Sequence, residues 1–590
     1  MKVLRLAAIA QLLLTSIGIC SGKLTERLES CLRSRGTDNK VIAWVFFSDK
    51  GRQEALKTSV PHSVVSHRSI LRRQKMRRPE GIVDYTDLPV EQSYVEALSA
   101  RGAHVRQCSR WFNCASISAT PAQIRQIEDL SFVTKLDLVW RARGNPAPEA
   151  TSPTKASLQN DQVLDFDYGF SIDQVSLINI PAVHNLGNYG QGVVIGDFDN
   201  GFCLLQHEAF DSLRPRIIAT YDFVDHKVSV VPNNPNPGFG AHGIVTLSTL
   251  AGFAPGNLIG PAFGAEFILA RTENDSSETP IEEDNWLAAI EWADSVGVDV
   301  TSTSLGYLTY DPPYTSWTWQ DMNGNTTLIT RAADMAVAKG IVVVNSAGNN
   351  GLNISHNTLN APADGDSVIT VGAVTPQGVR AGFSSVGPTT SNPPRIKPDI
   401  MATGTTIRCA SATDPHAYQY QQGTSLSCPL AAGVAAMLLH ARPTATPIEV
   451  ANALRLTASQ ASAPDNLMGW GVVNALAAVR YITGDTLDGY PPSGFSLMNA
   501  YPNPFPTPSN PSLTIGFSLP EQSRVTITIF NALGQEVRIL TGDAGVSYLT
   551  WDGTDKHGIP VASGVYYYRF QGIGISGRLF SDVNKMIVLR

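Results

Sequence analysis

The segment GTSLSCP at residues 423–429 places a serine where a turn becomes an apolar helix. The residues that follow, CPLAAGVAAMLLHA, are apolar on almost every face, so we predict a buried helix that tolerates Pro429 in its first turn. Ser425 then lies at the positive end of this helix, close to backbone N–H groups that stabilise negative charge during acyl transfer. These features are typical of a nucleophilic serine.

An aspartate and a histidine upstream have the settings needed to activate that serine. The predicted strand GVVIGDFDNGF ends in Asp-Asn-Gly, and we favour Asp199, at the strand's exit, over Asp197, which still belongs to the strand and could serve a structural hydrogen bond. His242 directly precedes a glycine at the start of the predicted helix AHGIVTLSTLAG, a setting that suits a general base. We predict that His242 removes the Ser425 hydroxyl proton while the Asp199 carboxylate fixes the imidazole tautomer.

Two other polar residues are more ambiguous. Asn349, in the predicted loop NSAGNNG, could donate its side-chain amide to the substrate's carbonyl oxygen beside the Ser425 backbone N–H, although the tripeptide alone would indicate an ordinary turn asparagine. Loss of such a donor costs about 3 to 4 kcal/mol in comparable sites. His207, in QHEAF, is interpreted as a loop histidine that packs the aspartate turn, and not as a base.

From about residue 165 to 485, short β-branched runs alternate with amphipathic helices. The predicted strands are GVVIGDF, EFILA, VDVTSTS, IVVVNSA and VITVGAV, and the helices between them include EDNWLAAIEWADSVG and TTLITRAADMAVAKG. This alternation predicts βα units around a parallel sheet. Because the active groups of such sheets gather beyond the carboxyl ends of the strands, we expect the candidate residues to meet at one edge.

The four motifs, in the order aspartate, histidine, asparagine and serine, resemble those of the subtilisin-like serine proteases. The resemblance covers roughly residues 165–485 and extends to TSTSLGY at 301–307 and KPDIMATG at 397–404. It implies a three-layer α/β domain with endopeptidase activity. Ile244 and Leu430 stand where the family commonly has threonine and histidine, and neither departure removes a predicted catalytic group.

The resemblance also implies where the substrate binds. In this family the Ser-Leu-Gly segment, here Ser304, Leu305 and Gly306, offers an edge strand to the peptide substrate. Main-chain pairing of this kind fits a sequence-tolerant endopeptidase.

The N-terminal part of the chain predicts a signal peptide followed by a small module. Lys2 and Arg5 precede an apolar stretch too short to span a bilayer, which indicates a secretory signal over residues 1–22. Residues 23–150 alternate predicted strands and helices in an α+β module that resembles the propeptides of these proteases, which implies that it assists folding and blocks the cleft. Its basic run at 66–78, SHRSILRRQKMRR, is more typical of a solvated helix face than of a binding site.

A linker rich in Pro, Ser and Asn occupies residues 490–512. After it, apolar residues recur at every second position. RVTITIF places Val525, Ile527 and Ile529 on one face, so residues 496–590 are predicted to form a small antiparallel β-sandwich. The motifs NAYPNPF, NALGQEV, WDGTDKHG and SGVYYYRF resemble the C-terminal sorting domains read by the type IX secretion system of certain Gram-negative bacteria. The alternative is a generic adhesive or spacer sandwich.

Composition narrows the classes of partner and cofactor. A net charge of −7 and a charged fraction of 16% argue against nucleic acid or acidic lipid as the main partner. The seven cysteines have no metal-type spacing and do not form a disulfide scaffold. We predict no metal site and no cofactor for the chemistry. Structural calcium is frequent in the family, but no run of Asp and Asn has convincing ligand spacing, so calcium stays open.

Together these observations predict the precursor of a secreted serine endopeptidase that hydrolyses peptide bonds through an acyl-enzyme. Its expected partners are protein or peptide substrates, its own propeptide as an intramolecular inhibitor, and an export machinery that reads the C-terminal domain. The expected location is outside, or on the surface of, a Gram-negative bacterium. The alternative is a surface-attached binding protein on a catalytically disabled protease scaffold, and a secreted esterase or peptide ligase would use the same acyl-enzyme. Cleavage specificity, physiological substrate, maturation sites, disulfide pairing and oligomeric state are not readable from the sequence.

Overall fold

The computed structural model divides into two compact units, one within Met1–Lys57 and Leu88–Trp140 and the other within Thr58–Asp87 and Arg141–Arg590. The residues it describes are 22–34, 39–56, 62–76, 81–139, 165–233, 239–276, 278–311, 316–484, 495–497, 500, 503–506, 512–519, 523–542, 548–574 and 577–589. Residues 1–21 of the predicted signal, and the predicted linker from residue 145, therefore lie outside the described residues.

The smaller unit is an antiparallel sheet packed against helices. With elements numbered along the whole chain, its strands are β1 (Val41–Phe47), β2 (His104–Ser109), β3 (Cys114–Ala119) and β4 (Val133–Leu138), and its helices are α1 (Glu26–Ser34), α3 (Gln92–Ser99) and α4 (Pro121–Glu128). The strand order is β2-β3-β1-β4. Helix α4 begins at a capping box, in which Thr120 and Gln123 satisfy each other's backbone N–H groups. The predicted α+β pattern is confirmed in this unit.

The centre of the larger unit is a seven-stranded sheet in the order β13-β12-β11-β10-β5-β9-β6, with every neighbouring pair parallel. Its strands are β5 (Val194–Asp199), β6 (Ile217–Asp222), β9 (Glu266–Arg271), β10 (Val300–Thr303), β11 (Val342–Ser346), β12 (Ile369–Val374) and β13 (Ile400–Thr403). Every residue of β5 and of β10 to β13 is buried, which is why these strands read as continuous β-branched runs and not as alternating ones.

Helices cover this sheet, and two short hairpins complete the region. The helices are α5 (Ile172–Ser176), α6 (Ile180–His184), α7 (Ala241–Ala251), α8 (Ile281–Val296), α9 (Leu328–Ala338), α10 (Thr424–Ala441), α11 (Pro447–Leu456) and α12 (Ala475–Thr483). The hairpin strands are β7 (Phe253–Ala254), β8 (Leu258–Ile259), β14 (Ile407–Ala410) and β15 (Tyr418–Gln421). The three-layer α/β architecture predicted from the sequence is confirmed.

Helix α10 is the core helix of this region, as its all-round apolar sequence predicts. Among the described residues it is also the one helix long and apolar enough to cross a membrane, but 89% of its apolar window is buried inside the protein. Its apolar surface is therefore accounted for by packing against the sheet and against α7 and α12.

The helix α2 (His67–Gln74) belongs to the larger unit, and the prediction of a solvated basic face is wrong for two of its residues. The side chains of Arg72 and Arg73 are fully buried, whereas Leu71 is half exposed. Both arginines pair with the buried carboxylate of Asp294. A charge pattern read along one helix cannot reveal a partner that lies more than 200 residues away.

The C-terminal residues form the predicted small β-sandwich. One sheet has the order β16-β18-β21 and the other β17-β23-β22-β19-β20. The strands are β16 (Ser496–Leu497), β17 (Phe505–Pro506), β18 (Leu513–Ser518), β19 (Ser523–Asn531), β20 (Glu536–Gly542), β21 (Tyr548–Trp551), β22 (Gly564–Gly574) and β23 (Leu579–Leu589). Val525, Ile527 and Ile529 are buried in its core, as their alternation predicts. One short pair, β17 with β23, is parallel and departs from the expected antiparallel pattern.

His184, the last residue of α6, is a fully buried histidine. Its Nδ1 lies 2.6 Å from the Tyr168 hydroxyl and its Nε2 lies 2.9 Å from the Pro261 carbonyl oxygen. Because a carbonyl oxygen can only accept, Nε2 carries the proton and Nδ1 accepts from the tyrosine. Burial lowers the pKa of His184 to about 4, so the imidazole is neutral in the folded protein at neutral pH.

We predict that His184→Gln flattens the acid side of the stability profile. The unfolded histidine takes up its proton near pH 6.5 and the folded one near pH 4, so the free energy of unfolding falls across this window as the pH drops. The loss amounts to roughly 3 kcal/mol, and glutamine cannot titrate. Urea unfolding of the Ser425→Ala chain at several pH values between 4 and 6.5 measures how the free energy of unfolding changes with pH. The exposed His557→Gln is the control, and an unchanged slope in His184→Gln would contradict the prediction.

Candidate active site

The structure brings Asp199 and His242 into direct contact. Asp199 ends β5 near the middle of the sheet, and His242 is the second residue of α7. The histidine Nδ1 lies 2.7 Å from Asp199 Oδ1. The aspartate side chain is fully buried, whereas 35% of the histidine side chain is exposed. The pair therefore holds an imidazole by its buried edge and leaves part of the ring accessible.

Two more donors satisfy the buried Asp199 carboxylate. The Asn200 backbone N–H lies 2.7 Å from Oδ1, and the Thr246 hydroxyl donates to Oδ2 over 2.9 Å. Thr246 is not among the residues predicted from the sequence. The signal was its spacing, because a residue four positions after His242 lies on the same helix face.

The contact between the Asp-Asn-Gly turn and α7 depends on a close backbone approach. A Cβ atom on Gly243 would lie 2.1 Å from the Gly201 carbonyl oxygen, so only glycine fits after His242. The Asn200 side chain accepts from the Gly243 N–H over 3.1 Å, and its amide donates to Asp275. Asp275 also accepts from the Gly240 N–H over 3.1 Å. These bonds fix the start of α7, and with it the histidine, against the turn.

Ser425 is the second residue of α10 and is 9% exposed. The residue before the helix, Gly423, has φ 153° and ψ 158°, a region that glycine alone occupies without strain. A Cβ atom on Gly423 would lie 2.8 Å from Ser425 Oγ. The glycine therefore gives the sharp turn its shape and leaves room beside the serine hydroxyl, as the GTSLSCP motif predicts.

Asn349 lies beside the same glycine. A Cβ atom on Gly423 would lie 3.6 Å from Asn349 Nδ2. The asparagine amide and Ser425 Oγ are therefore both close to this position. Its Oδ1 accepts from both the backbone N–H and the hydroxyl of Thr424, each over 2.9 Å. These two bonds fix the amide and turn Nδ2 away from Thr424. Asn349 is thus held beside Ser425, and its part in the chemistry stays a prediction.

The predicted substrate segment follows directly after β10. The Ser304 hydroxyl donates to the Ser425 carbonyl oxygen over 2.7 Å, which ties this segment to the start of α10. The Leu305 carbonyl accepts from Asn345 Nδ2 over 3.0 Å, and Gly306 is exposed. The segment is therefore anchored at one end and accessible at the other. Its part in binding substrate stays a prediction.

Asp197 is fully buried two residues before Asp199. Burial, with the nearby Asp199 charge as a second cause, raises its pKa well above the usual range, so the carboxyl is neutral. Among the described residues neither of its oxygens has a hydrogen-bond partner, so the structural hydrogen bond considered for it is not present there.

Cys428 and His207 have structural roles. Burial raises the pKa of the Cys428 thiol to about 12, and its sulfur contacts the Thr303 carbonyl oxygen at 3.4 Å. The thiol is thus part of the buried core. His207 Nε2 lies 2.7 Å from the Ala417 carbonyl oxygen, and its Nδ1 accepts from the Ala209 N–H. This confirms a loop histidine, although it packs against the segment around Ala417.

Within the described part of the chain, no three His, Cys, Asp or Glu side chains are grouped to hold a metal ion. A requirement for structural calcium stays an open prediction.

Comparison with known proteins decides the family. The profile of the Subtilase family matches residues 190–471, the region that contains all the candidate residues. Subtilisin NAT of Bacillus subtilis subsp. natto is 32% identical over 332 residues, which cover 56% of this chain and 76% of the relative. The chain belongs to the subtilase family. It is a subtilisin-like serine endopeptidase, which acts on protein or peptide substrates.

Other matches extend this comparison. The serine protease AprX of Bacillus subtilis (strain 168) is 30% identical over 397 residues, covering 62% of this chain and 78% of the relative. A solved protease from Pseudoalteromonas arctica PAMC 21717 is 24% identical, with a TM-score of 0.42, covering 54% of this chain and 99% of that one. Residues 42–156 match the Peptidase S8 propeptide domain of Bacteroidota, and residues 508–573 match the FlgD Ig-like domain. The subtilase therefore carries its own propeptide.

We predict that Thr246→Val lowers kcat about tenfold or more with little change in KM. The lost hydrogen bond reaches a buried carboxylate, and bonds of this kind typically contribute about 1.5 to 3 kcal/mol to the stability of a folded protein. Its loss leaves the carboxylate, and with it the imidazole, less well oriented for proton transfer. Without this donor the Asp199 charge is less satisfied and attracts the imidazolium more strongly. The acid limb of the pH profile of kcat/KM should therefore move to higher pH.

Thr246→Ser is the matched control, since it keeps the hydroxyl and removes only a methyl group. If Thr246→Val and Thr246→Ser gave the same kcat and the same acid limb, the hydroxyl would have no part in positioning the pair.

Proposed function

We propose that this subtilase hydrolyses peptide bonds through an acyl-enzyme on Ser425, with His242 as general base and Asp199 as the group that orients it. The observation that carries the proposal is the 2.7 Å hydrogen bond from His242 Nδ1 to a fully buried carboxylate. Such a bond fixes the proton on Nδ1 and assigns the lone pair to Nε2, the nitrogen that a serine base must use.

The reaction then follows in two halves. His242 takes the Ser425 hydroxyl proton as Oγ attacks the substrate's carbonyl carbon, and the imidazolium returns that proton to the leaving amine nitrogen. The buried Asp199 charge stabilises the imidazolium. A water molecule repeats the sequence on the acyl-enzyme: His242 removes its proton, the oxygen attacks the ester carbonyl, and Ser425 leaves with the proton.

The negative oxygen of each tetrahedral intermediate is stabilised by donors that are already in place. We assign this role to Asn349 Nδ2 and to the backbone N–H of Ser425 in the first turn of α10. Support comes from the two hydrogen bonds that hold Asn349 Oδ1 on Thr424, since an amide fixed in this way needs no reorganisation during the reaction. The positive end of α10 adds to the same stabilisation.

The substrate backbone is proposed to pair with Ser304, Leu305 and Gly306. The bond from the Ser304 hydroxyl to the Ser425 carbonyl would keep this edge in register with the nucleophile. Main-chain pairing tolerates many side chains, which fits a broad endopeptidase. Nucleophile, base and oxyanion donors are all groups of the chain, so we propose that the chemistry needs no cofactor.

We also propose that this subtilase is secreted and reaches the medium or the surface of a Gram-negative bacterium. The basic and apolar pattern of residues 1–22 supports a secretory signal. The C-terminal sandwich, with its sorting-domain motifs, is the proposed recognition element for a type IX export machinery. The rival is a sandwich that acts only as a spacer.

The first test is labelling of the matured chain with a fluorophosphonate probe, followed by peptide mapping. We expect a single labelled peptide that contains Ser425, and complete loss of labelling and of casein hydrolysis in Ser425→Ala. Ser427→Ala, a buried serine two residues further along α10, is the matched control and should still label. A folded chain, free of its propeptide, that fails to label would favour the binding-protein alternative.

The export proposal predicts a different outcome from truncation. In a Gram-negative host with type IX secretion, the full chain should appear in the medium or on the surface, and a chain that ends before residue 496 should stay in the periplasm. Fractionation and immunoblotting measure both, with exposed-site His557→Ala in the full chain as control. Equal export of the two chains would support the alternative, in which the C-terminal sandwich acts only as a spacer.

A further inference from the structure

One segment of the propeptide region is built into the larger unit. Residues 62–87, which we call the clamp segment, lie inside the sequence range that matches a propeptide domain. The described parts of this segment nevertheless cluster with the catalytic region, whereas the residues on either side of it belong to the smaller unit, within Met1–Lys57 and Leu88–Trp140. Its helix α2 packs against α8.

The clamp segment supplies donors to the end of α8. The last carbonyl groups of a helix have no partner within the helix, and they form the negative end of its dipole. The Ser66 hydroxyl donates to the Val296 carbonyl over 2.9 Å, and Arg68 Nε donates to the Gly297 carbonyl over 3.1 Å. A cationic side chain at this end is favourable for the helix dipole as well.

Arg72 joins the ends of two helices. Its Nε donates to the Lys339 carbonyl just after α9, over 3.1 Å, and its Nη1 donates to the Val298 carbonyl just after α8, over 2.7 Å. The guanidinium also pairs with Asp294 in the last turn of α8. The buried Arg72 guanidinium thus holds the ends of both helices at a fixed spacing.

A buried ion cluster continues from this point. Arg73 pairs with Asp294 at 2.5 Å and with both oxygens of Asp87, at 2.6 and 2.8 Å. The Lys339 ammonium lies 2.9 Å from Asp87. The charged groups of all four residues are at most 1% exposed. Asp294 and Lys339 come from the catalytic region, and Arg73 and Asp87 come from the clamp segment, so the pairs Arg73–Asp294 and Lys339–Asp87 join the two parts of the chain.

The clamp segment also reaches the starts of the central strands. Arg68 Nη2 donates to Asp299, one residue before β10, over 2.6 Å and to the Gly192 carbonyl, just before β5, over 2.8 Å. Lys339 lies just before β11. The opposite ends of β5, β10 and β11 lead to Asp199, to the Ser304 segment and to the Asn349 loop.

We propose that the clamp segment is a lasting part of the catalytic unit and stays bound after the flanking propeptide residues are removed. The mature enzyme would then consist of the subtilase domain with this segment held noncovalently on the ends of α8 and α9. Because separation must break several desolvated charge pairs at once, its dissociation is expected to be slow. The inference does not depend on the roles proposed for Asp199, His242 and Ser425.

The test uses the full Ser425→Ala chain and an added protease, so it is independent of the chain's own activity. After limited trypsin digestion and size exclusion, peptide mapping should find residues 66–76 in the same peak as the catalytic chain, with the bonds after Arg72 and Arg73 intact. Peptides from residues 22–56 and 88–139 should be absent from that peak. A catalytic chain that remains folded but has lost residues 66–76 would overturn the proposal.

Two further measurements test the same proposal, and the second needs no substitution that could prevent folding. Arg73→Met should release the segment at least tenfold faster than Gln74→Met, the exposed neighbour on the same helix. The second measurement is hydrogen exchange of the backbone amides in mild denaturant, with the clamp segment unsubstituted. Its α2 amides should open together with those of α8, and opening together with β1 and β3 instead would overturn the proposal.

Discussion

The proposed active site of this subtilase depends on one negative charge held out of water. A buried carboxylate is costly unless donors surround it, and Asp199 receives them from the Asn200 N–H, the Thr246 hydroxyl and His242. Two of these donors, Thr246 and His242, lie on α7, so the strand, the turn and this helix must meet within hydrogen-bond distance. The close approach at Gly243 follows from that requirement. The neighbouring Asp197 stays neutral, because a second charge in the same place would have no such compensation.

The sheet converts this local requirement into a site. Parallel strands bring Asp199, the Ser304 segment and the Asn349 loop to one edge of the sheet. Ser425, at the start of α10, lies at the same edge. At the opposite edge, buried charges of Arg72, Arg73 and Asp294 hold the helix ends from which two of these strands begin. The candidate catalytic groups thus lie at one end of the strands, and the buried ion pairs that hold the helix ends lie at the other.

Sequence patterns predicted much of this arrangement. The β-branched runs, the apolar helix after Ser425 and the alternation at Val525, Ile527 and Ile529 each depend on local chemistry, and each is confirmed. Thr246 was missed because its hydroxyl is informative only when the position of Asp199 is known. Arg72 and Arg73 were misread for a related reason: periodicity finds apolar faces, but whether a charged face is buried depends on partners far away in sequence, such as Asp294.

The position of Ser425 on α10 has a consequence for how activity is lost. Partial opening of a protein begins at fraying ends and weakly packed loops, while the most buried elements open last. Sixteen of the eighteen residues of α10 are buried, and the serine lies in its first turn. The hydroxyl of this proposed nucleophile is therefore carried by one of the most stable elements of the molecule. Thermal inactivation of the nucleophile should then report cooperative loss of the whole core, whereas damage to peripheral loops would impair substrate capture first.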